Sequence, residues 1–149
     1  MAAKLETVLE LSCTPQQFFT VWKSEAHQIP NHTPNNIHAV DVHEGDWETA
    51  GSLKAWKYTV DGTTETFKER IEVDEENMKV TLVGEEGDVM KSYKVFKPIY
   101  YLAPKGNGCL ATCVIEYEKV NENVPAPDKY MEFMINATKE IDAGLVGAK

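Results

Sequence analysis

The sequence predicts an α+β fold, with a seven-stranded antiparallel sheet and one long helix at the C-terminal end. Three observations carry this. Strand-like segments follow one another through the middle of the chain instead of alternating with helices. A strong two-residue hairpin signal, Asp61-Gly62, joins two of them. Residues 125–148 hold an apolar stripe at helical spacing, with no proline after Pro127.

Residues 3–11 alternate, with Leu5, Thr7, Leu9 and Leu11 on one side and Lys4, Glu6, Val8 and Glu10 on the other. That is the pattern of a half-buried strand. Thr14-Pro15-Gln16-Gln17 is a helix start: threonine as cap, proline in the first position, glutamine three residues past the cap. This helix carries Phe18, Phe19, Val21 and Trp22 and runs to Ser24. A second short helix over residues 25–29 ends where Pro30 and Pro34 break it.

A meander of strands follows. Residues 37–44 form a strand closed by Gly45 and Asp46, and residues 52–60 form the next, with Trp56, Tyr58 and Val60 opposite Lys57 and Thr59. Past the Asp61-Gly62 hairpin, residues 64–73 return, and a turn over 74–77 leads to a strand over 78–83. An acidic turn over 84–88 precedes a long strand over 90–102. A hairpin over 104–108 leads to the last strand, 109–119, where Ala111, Cys113, Ile115 and Tyr117 share one face.

The final helix opens on Pro125-Ala126-Pro127-Asp128, a rigid start with an acid in the first turn. Tyr130, Met134, Thr138, Ile141 and Leu145 recur at helical spacing, flanked by Met131, Ile135 and Ala137. Lys129, Glu132, Lys139 and Glu140 are its polar side, and Gly144 and Gly147 loosen only its end. At roughly 20 residues it is about 30 Å long, enough to cross a small domain. Methionine adapts its shape more readily than branched residues. The stripe therefore serves either as core packing or as the lid of a cavity.

A chain of 149 residues with 42% hydrophobic composition suits one domain, 1–149, with its own core. A net charge of −9 repels nucleic acid and anionic membranes. Residues 1–11 carry Lys4, Glu6 and Glu10, unlike a signal peptide, and no apolar run reaches the ~18 residues of a membrane span. Three cysteines do not make a secreted disulfide framework. Cys109 and Cys113, four apart on one strand, are about 13 Å from each other and cannot bridge. The expectation is a cytoplasmic protein, monomeric or weakly dimeric, with neither nucleic-acid nor membrane partners.

Four stretches carry a family likeness. They are Glu44-Gly45-Asp46 with Gly51-Ser52-Leu53-Lys54-Ala55-Trp56; Asp61-Gly62; Gly87-Asp88-Val89-Met90-Lys91 with Tyr93-Lys94 and Phe96; and Ile115-Glu116-Tyr117-Glu118-Lys119 with Asn121-Glu122 and Pro125. In these the chain resembles the plant major latex protein group of the Bet v 1 (pathogenesis-related class 10, START-like) superfamily, over essentially its whole length. The resemblance implies a helix-grip fold: a curved sheet wrapped around the C-terminal helix, two short helices after the first strand, and a large internal cavity. It also implies binding of small hydrophobic plant metabolites, with links to defence or specialised metabolism. Some relatives are cyclases or isomerases, and the superfamily includes hormone receptors. One departure concerns the loop over 45–51. It has two glycines and two acids, lacks the Gly-Lys-Ser/Thr ending of a phosphate cradle, and repels phosphate.

His27, His32, His38 and His43 match no zinc spacing, so no metal is expected, and no cofactor motif is present. No nucleophile elbow is visible, and Cys113 reads as a small cavity-wall hydrophobe. Polar groups on inward faces are Tyr58, Tyr93, Tyr117, Thr138, Lys54 and Glu69. A lysine facing an apolar cavity has a lowered pKa and suits a base or Schiff-base amine, unless it snorkels to the rim. The expected ligand wall is Trp56, Tyr58, Val80, Leu82, Tyr93, Cys113, Ile115 and Tyr117 from the sheet, with Met131, Met134, Ile135 and Thr138 from the helix. Three readings follow: a carrier of hydrophobic metabolites, a cofactor-free cyclase or isomerase of terpenoid or alkaloid intermediates in the same cavity, or a hormone receptor acting through a protein partner. For the second, the candidate catalytic groups are Tyr93, Lys54, His27 and Glu69.

Overall fold

The computed structural model describes residues 3–147. Strand β1 (Ala3–Leu11) leads into helix α1 (Pro15–Lys23), a 3-10 turn (Ala26–Gln28) and the short helix α2 (Ile29–His32). Strands β2 (Ile37–Glu44), β3 (Leu53–Val60), β4 (Thr63–Asp74) and β5 (Lys79–Gly87) follow, then a second 3-10 turn (Asp88–Lys91). Strands β6 (Tyr93–Lys105) and β7 (Gly108–Lys119) and helix α3 (Asp128–Gly147) complete the described chain. The strand order is β1-β7-β6-β5-β4-β3-β2, antiparallel throughout, so α1 and α2 carry the chain from one edge of the sheet to the other.

The sequence rules operate locally. Thr14 caps α1, its hydroxyl accepting from Gln17 N while the Gln17 amide oxygen accepts from Thr14 N. Asp61 (φ 50°) and Gly62 (φ 78°) both take positive φ, the requirement of a two-residue hairpin turn. Register shifts occur at Ile37/Ala39, Val42/Glu44, Lys68/Glu69 and Tyr93/Val95. Such bulges bend and twist strands, and the sheet curves over α3. Pro98 has no N–H to give, and the β5–β6 ladder stops beside it at Thr81↔Ile99.

Helix α3 packs on β1, β3, β7, α1 and α2. Tyr130, Met131, Met134, Ala137, Thr138 and Ile141 are buried beneath it. Polar clamps hold its second half. Asp142 accepts from Ser12 N and Cys13 N (2.8 Å for the latter), and Glu140 accepts from Thr33 Oγ1 at 2.6 Å and Asn36 Nδ2 at 3.1 Å.

Several sequence expectations are corrected here. The acidic turn expected over 84–88 is strand up to Gly87. Gly84 is there for close approach rather than for turning: a Cβ would lie 2.7 Å from the Phe96 carbonyl oxygen. The acids are accommodated because Arg70 Nε donates to Glu85 at 2.8 Å. The long strand then begins at Tyr93 rather than at 90, because Asp88 accepts from Thr66 N at 2.8 Å and anchors a 3-10 turn against β4. Pro30 does not end a helix; it occupies the first turn of α2, where a missing N–H costs nothing. Gly144 does more than loosen α3, since a Cβ there would overlap the imidazole of His32. The expected helix end at Ala148 lies outside the described residues.

Candidate functional site

Alternation along each strand decides what faces α3. On β3 the inward side chains are Lys54, Trp56, Tyr58 and Val60; on β4 they are Glu65, Phe67, Glu69 and Ile71. Pairing in register sets Lys54 opposite Glu69, Trp56 opposite Phe67 and Tyr58 opposite Glu65. Between this concave face and α3 lies an apolar cavity of about 80 Å³. Eight of its fourteen lining residues are aromatic, which is why it is narrow. Ligand pockets of drug size hold ≈ 300–1,000 Å³, so the large cavity implied by the resemblance requires these rings to move. Trp22 of α1 is part of the lining, its ring centroid 5.7 Å from that of Trp56 and 5.4 Å from that of Tyr100.

Polar groups sit behind this wall, nearly all held by neighbours. The Tyr58 hydroxyl donates to Glu65 Oε1 at 3.0 Å, and the Tyr130 hydroxyl to the same oxygen at 2.8 Å. The Tyr100 and Thr138 hydroxyls bond at 2.7 Å, and Thr138 Oγ1 donates to the Met134 carbonyl at 2.6 Å. The Trp56 indole N–H donates to Glu69 Oε1 at 2.8 Å. Burial lifts Tyr58, Tyr100 and Tyr130 well above the ordinary phenol range, with the Glu65 carboxylate reinforcing the shift at Tyr58 and Tyr130. These phenols are donors at neutral pH, not bases. Burial likewise pushes the Cys113 thiol up to about 12, so it stays protonated and unreactive.

Lys54 and Glu69 are the exception. Burial raises the Glu69 carboxyl to about 7, a bond from Trp56 and the charge of Lys54 opposing it. Burial also lowers the Lys54 amine, against the attraction of Glu69 and Asp46. Lys54 is 1% exposed, so it does not snorkel to the rim. No hydrogen bond joins its Nζ to Glu69.

Of the twelve ligand-wall residues expected from sequence, the fold brings Trp56, Tyr58, Leu82, Ile115 and Met134 to the cavity. Val80, Cys113 and Met131 are buried in the surrounding core, and Ile135 is half-buried on its margin. Tyr93 donates its hydroxyl to the Pro125 carbonyl at 2.6 Å and meets the edge of Tyr117, 5.8 Å between centroids, so this pair closes the core away from the lining. Thr138 is committed to Tyr100 and Met134. The four candidate catalytic groups do not converge. Lys54 and Glu69 face each other, Tyr93 is tied to Pro125, and exposed His27 packs its ring 5.1 Å from Trp47.

Residues that sequence reading did not place on the wall include Trp22, Phe67, Phe96, Tyr100, Tyr130 and Phe133. Helical spacing from Phe18 points Trp22 inward, and parity with Trp56 points Phe67 inward. The bulge at Tyr93/Val95 shifts β6 by one residue, which brings Phe96 and Tyr100 round in place of the residues in step with Tyr93. Glu65 had no signal beyond its parity. In the loop over 45–51, Asp46 accepts from Glu48 N at 2.9 Å and from Thr49 N at 2.7 Å. The donors that a phosphate would use are taken by a carboxylate.

Comparison with known proteins yields consistent likenesses. Residues 1–148 match the profile described as the Pathogenesis-related protein Bet v 1 family. MLP-like protein 34 of Arabidopsis thaliana is 40% identical over 145 residues, 95% of this chain but 46% of that protein. The chain thus spans less than half the length of this relative. MLP-like protein 328 of the same plant is 36% identical over 137 residues, 91% of either chain. The crystal structure of major latex-like protein 151 from Panax ginseng matches with a TM-score of 0.91 at 34% identity, over 95% of this chain and 96% of that one.

Proposed function

The chain belongs to the Bet v 1 family, and on that premise we propose that it binds and carries small hydrophobic plant metabolites in the cavity between sheet and α3. The observation that supports this most directly is the aromatic-lined hollow itself, placed where a curved sheet and a long helix cannot close completely on one another. Burial supplies the affinity: at about 25 cal/mol per Å², a ligand hiding on the order of 200 Å² of apolar surface gains about 5 kcal/mol before association costs. Met134 at the cavity, with Met131 in the core beside it, lets the helix side adapt to the guest. The physiological setting we assign is cytoplasmic, serving specialised metabolism or defence. Cys13, Cys109 and Cys113 are all free, as a reducing compartment favours.

The test is displacement of a fluorescent apolar probe from the purified protein by terpenoids, alkaloids, steroids and flavonoids. Selective displacement at micromolar or tighter affinity is the expected result. Absence of probe binding at any accessible concentration refutes the reading, because it means that the rings do not yield.

A further inference from the structure

The sheet ends in two edge strands, β1 and β2, and they differ. The register of β2 on β3 shifts twice, at Ile37/Ala39 and at Val42/Glu44. Bulges of that kind turn an edge away from further pairing. The ladder of β1 on β7 is unbroken, from Ala3↔Tyr117 to Leu11↔Cys109. Alternate residues of a strand paired on one side turn N–H and C=O to the other. The nine residues of β1 therefore present a regular row of backbone donors and acceptors along the free edge.

The side chains of β1 are arranged to suit a particular neighbour. Lys4, Glu6, Val8 and Glu10 are exposed on the outer face, and Leu5, Thr7 and Leu9 are half-buried on the inner one. Val8, 52% exposed, is the most open of the large apolar side chains described, and it continues a row through Thr112 to exposed Tyr101. Charge on an edge ordinarily discourages pairing. Here its order favours one partner, a second copy of the same strand running antiparallel. Thr7 is the middle of β1, so the register that uses the whole strand pairs Thr7 with Thr7 of the second copy. That register sets Lys4 against Glu10 of the second copy, Glu6 against Val8 and Leu5 against Leu9, each contact occurring twice. Glu10 already meets Lys105 at 3.2 Å, so Lys4 of the second copy joins an existing ion pair. Pairing about Glu6 instead brings the two Glu6 side chains together, and pairing about Val8 sets Glu6 against Glu10. Like charges directly opposite one another destabilise a strand pair.

We propose that β1 is the interface of a two-fold homodimer, in which two copies pair antiparallel about Thr7 and join their sheets into one. An isologous contact of this kind repeats each favourable pair and closes on itself. The area is small, so the association is weak, with a dissociation constant on the order of 100 μM. It is independent of what the cavity holds.

The experiment is sedimentation equilibrium of the full chain from about 10 μM to about 1 mM, a range that brackets such a constant. The average mass is expected to rise from that of the 16.7 kDa monomer toward twice that value. Lys4→Glu and Glu10→Lys should each weaken the dimer at least fivefold, and the double exchange Lys4→Glu/Glu10→Lys should restore it, because the pair is reciprocal. Glu10→Lys separates this from general repulsion: it lowers the magnitude of the −9 net charge, and so would strengthen an association limited by net charge alone. In the wild type, amide exchange within residues 3–11 should slow as concentration rises, while exchange in β2 should not change, a readout that needs no variant. A chain that stays monomeric throughout the range, a dimer indifferent to the single charge reversals, a dimer strengthened by Glu10→Lys, or protection of β2 in place of β1 overturns the proposal.

Discussion

Glu69→Gln isolates the electrostatic cost of one carboxyl buried in the core. Glu69 is fully buried, and its carboxyl titrates at about 7 in the folded chain against 4.5 for the ordinary group. Below pH 4.5 the group is protonated whether the chain is folded or not, and its contribution is complete. As pH rises from 4.5 to 7, the unfolded chain releases the proton and the folded chain retains it, so stability is lost across that window. At 1.36 kcal/mol per pH unit, the gap corresponds to about 3 kcal/mol. Glutamine preserves the bond from Trp56 but does not titrate. Urea denaturation at pH 4.5, 5.5, 6.5 and 7.5 should show the wild type losing stability relative to Glu69→Gln by about that amount, with equal m-values. Asp46, Asp74 and Asp88, whose carboxyls are held below the usual range by hydrogen bonds, are common to both proteins and cancel in the difference. A difference that stays flat from pH 4.5 to 7.5 would refute the reasoning, because Glu69 would then be ionised as easily in the fold as in water.

Further consequences concern the guest space and the frame around it. Met134→Trp puts an indole into the cavity; apolar-probe affinity should fall at least tenfold, while overpacking costs about 1–3 kcal/mol of stability, and unchanged probe affinity would place the guest elsewhere. Thr14→Ala removes the cap of α1 and should cost about 1 kcal/mol, seen in calorimetry as a melting point lower by about 2–4 °C. Gly144→Ala forces the His32 ring aside and should destabilise the chain, and His32→Ala in the same chain should restore most of the loss. Additive effects in that double-mutant cycle would show that the two residues do not meet.

Element types were legible because their signals are local. The Thr14 capping box, the Asp61-Gly62 turn, the alternation through residues 3–11 and the stripe from Tyr130 to Ile141 each reappear in the structure. So do the inward positions of Tyr58, Tyr93, Tyr117, Thr138, Lys54 and Glu69, all buried. Local signals mislead where one residue type serves two physical ends. Glycine forms turns and also permits close approach, and Gly84 is a point of close approach to Phe96; proline ends helices and also opens them, and Pro30 is a first-turn residue. Likewise Lys54, which sequence left between a buried amine and a snorkelling one, is decided only by the lack of any path to the rim.

By itself the sequence determined the kinds of element, their order, the faces they bury and the family to which the chain belongs. Periodicity, capping and turn chemistry act within about ten residues and are written directly in the chain. The tertiary structure alone decided which buried side chains meet. Burial is a property of one residue and its parity, whereas a cavity wall depends on register between strands and on bulges that shift it. The bulge at Tyr93/Val95 sends Tyr93 to the Pro125 carbonyl and brings Phe96 and Tyr100 to the hollow. The register of β3 on β4 sets Lys54 opposite Glu69 and Tyr58 opposite Glu65, making one pair unsatisfied and the other closed. A slip of one residue would exchange those partners without altering the strand pattern of either segment.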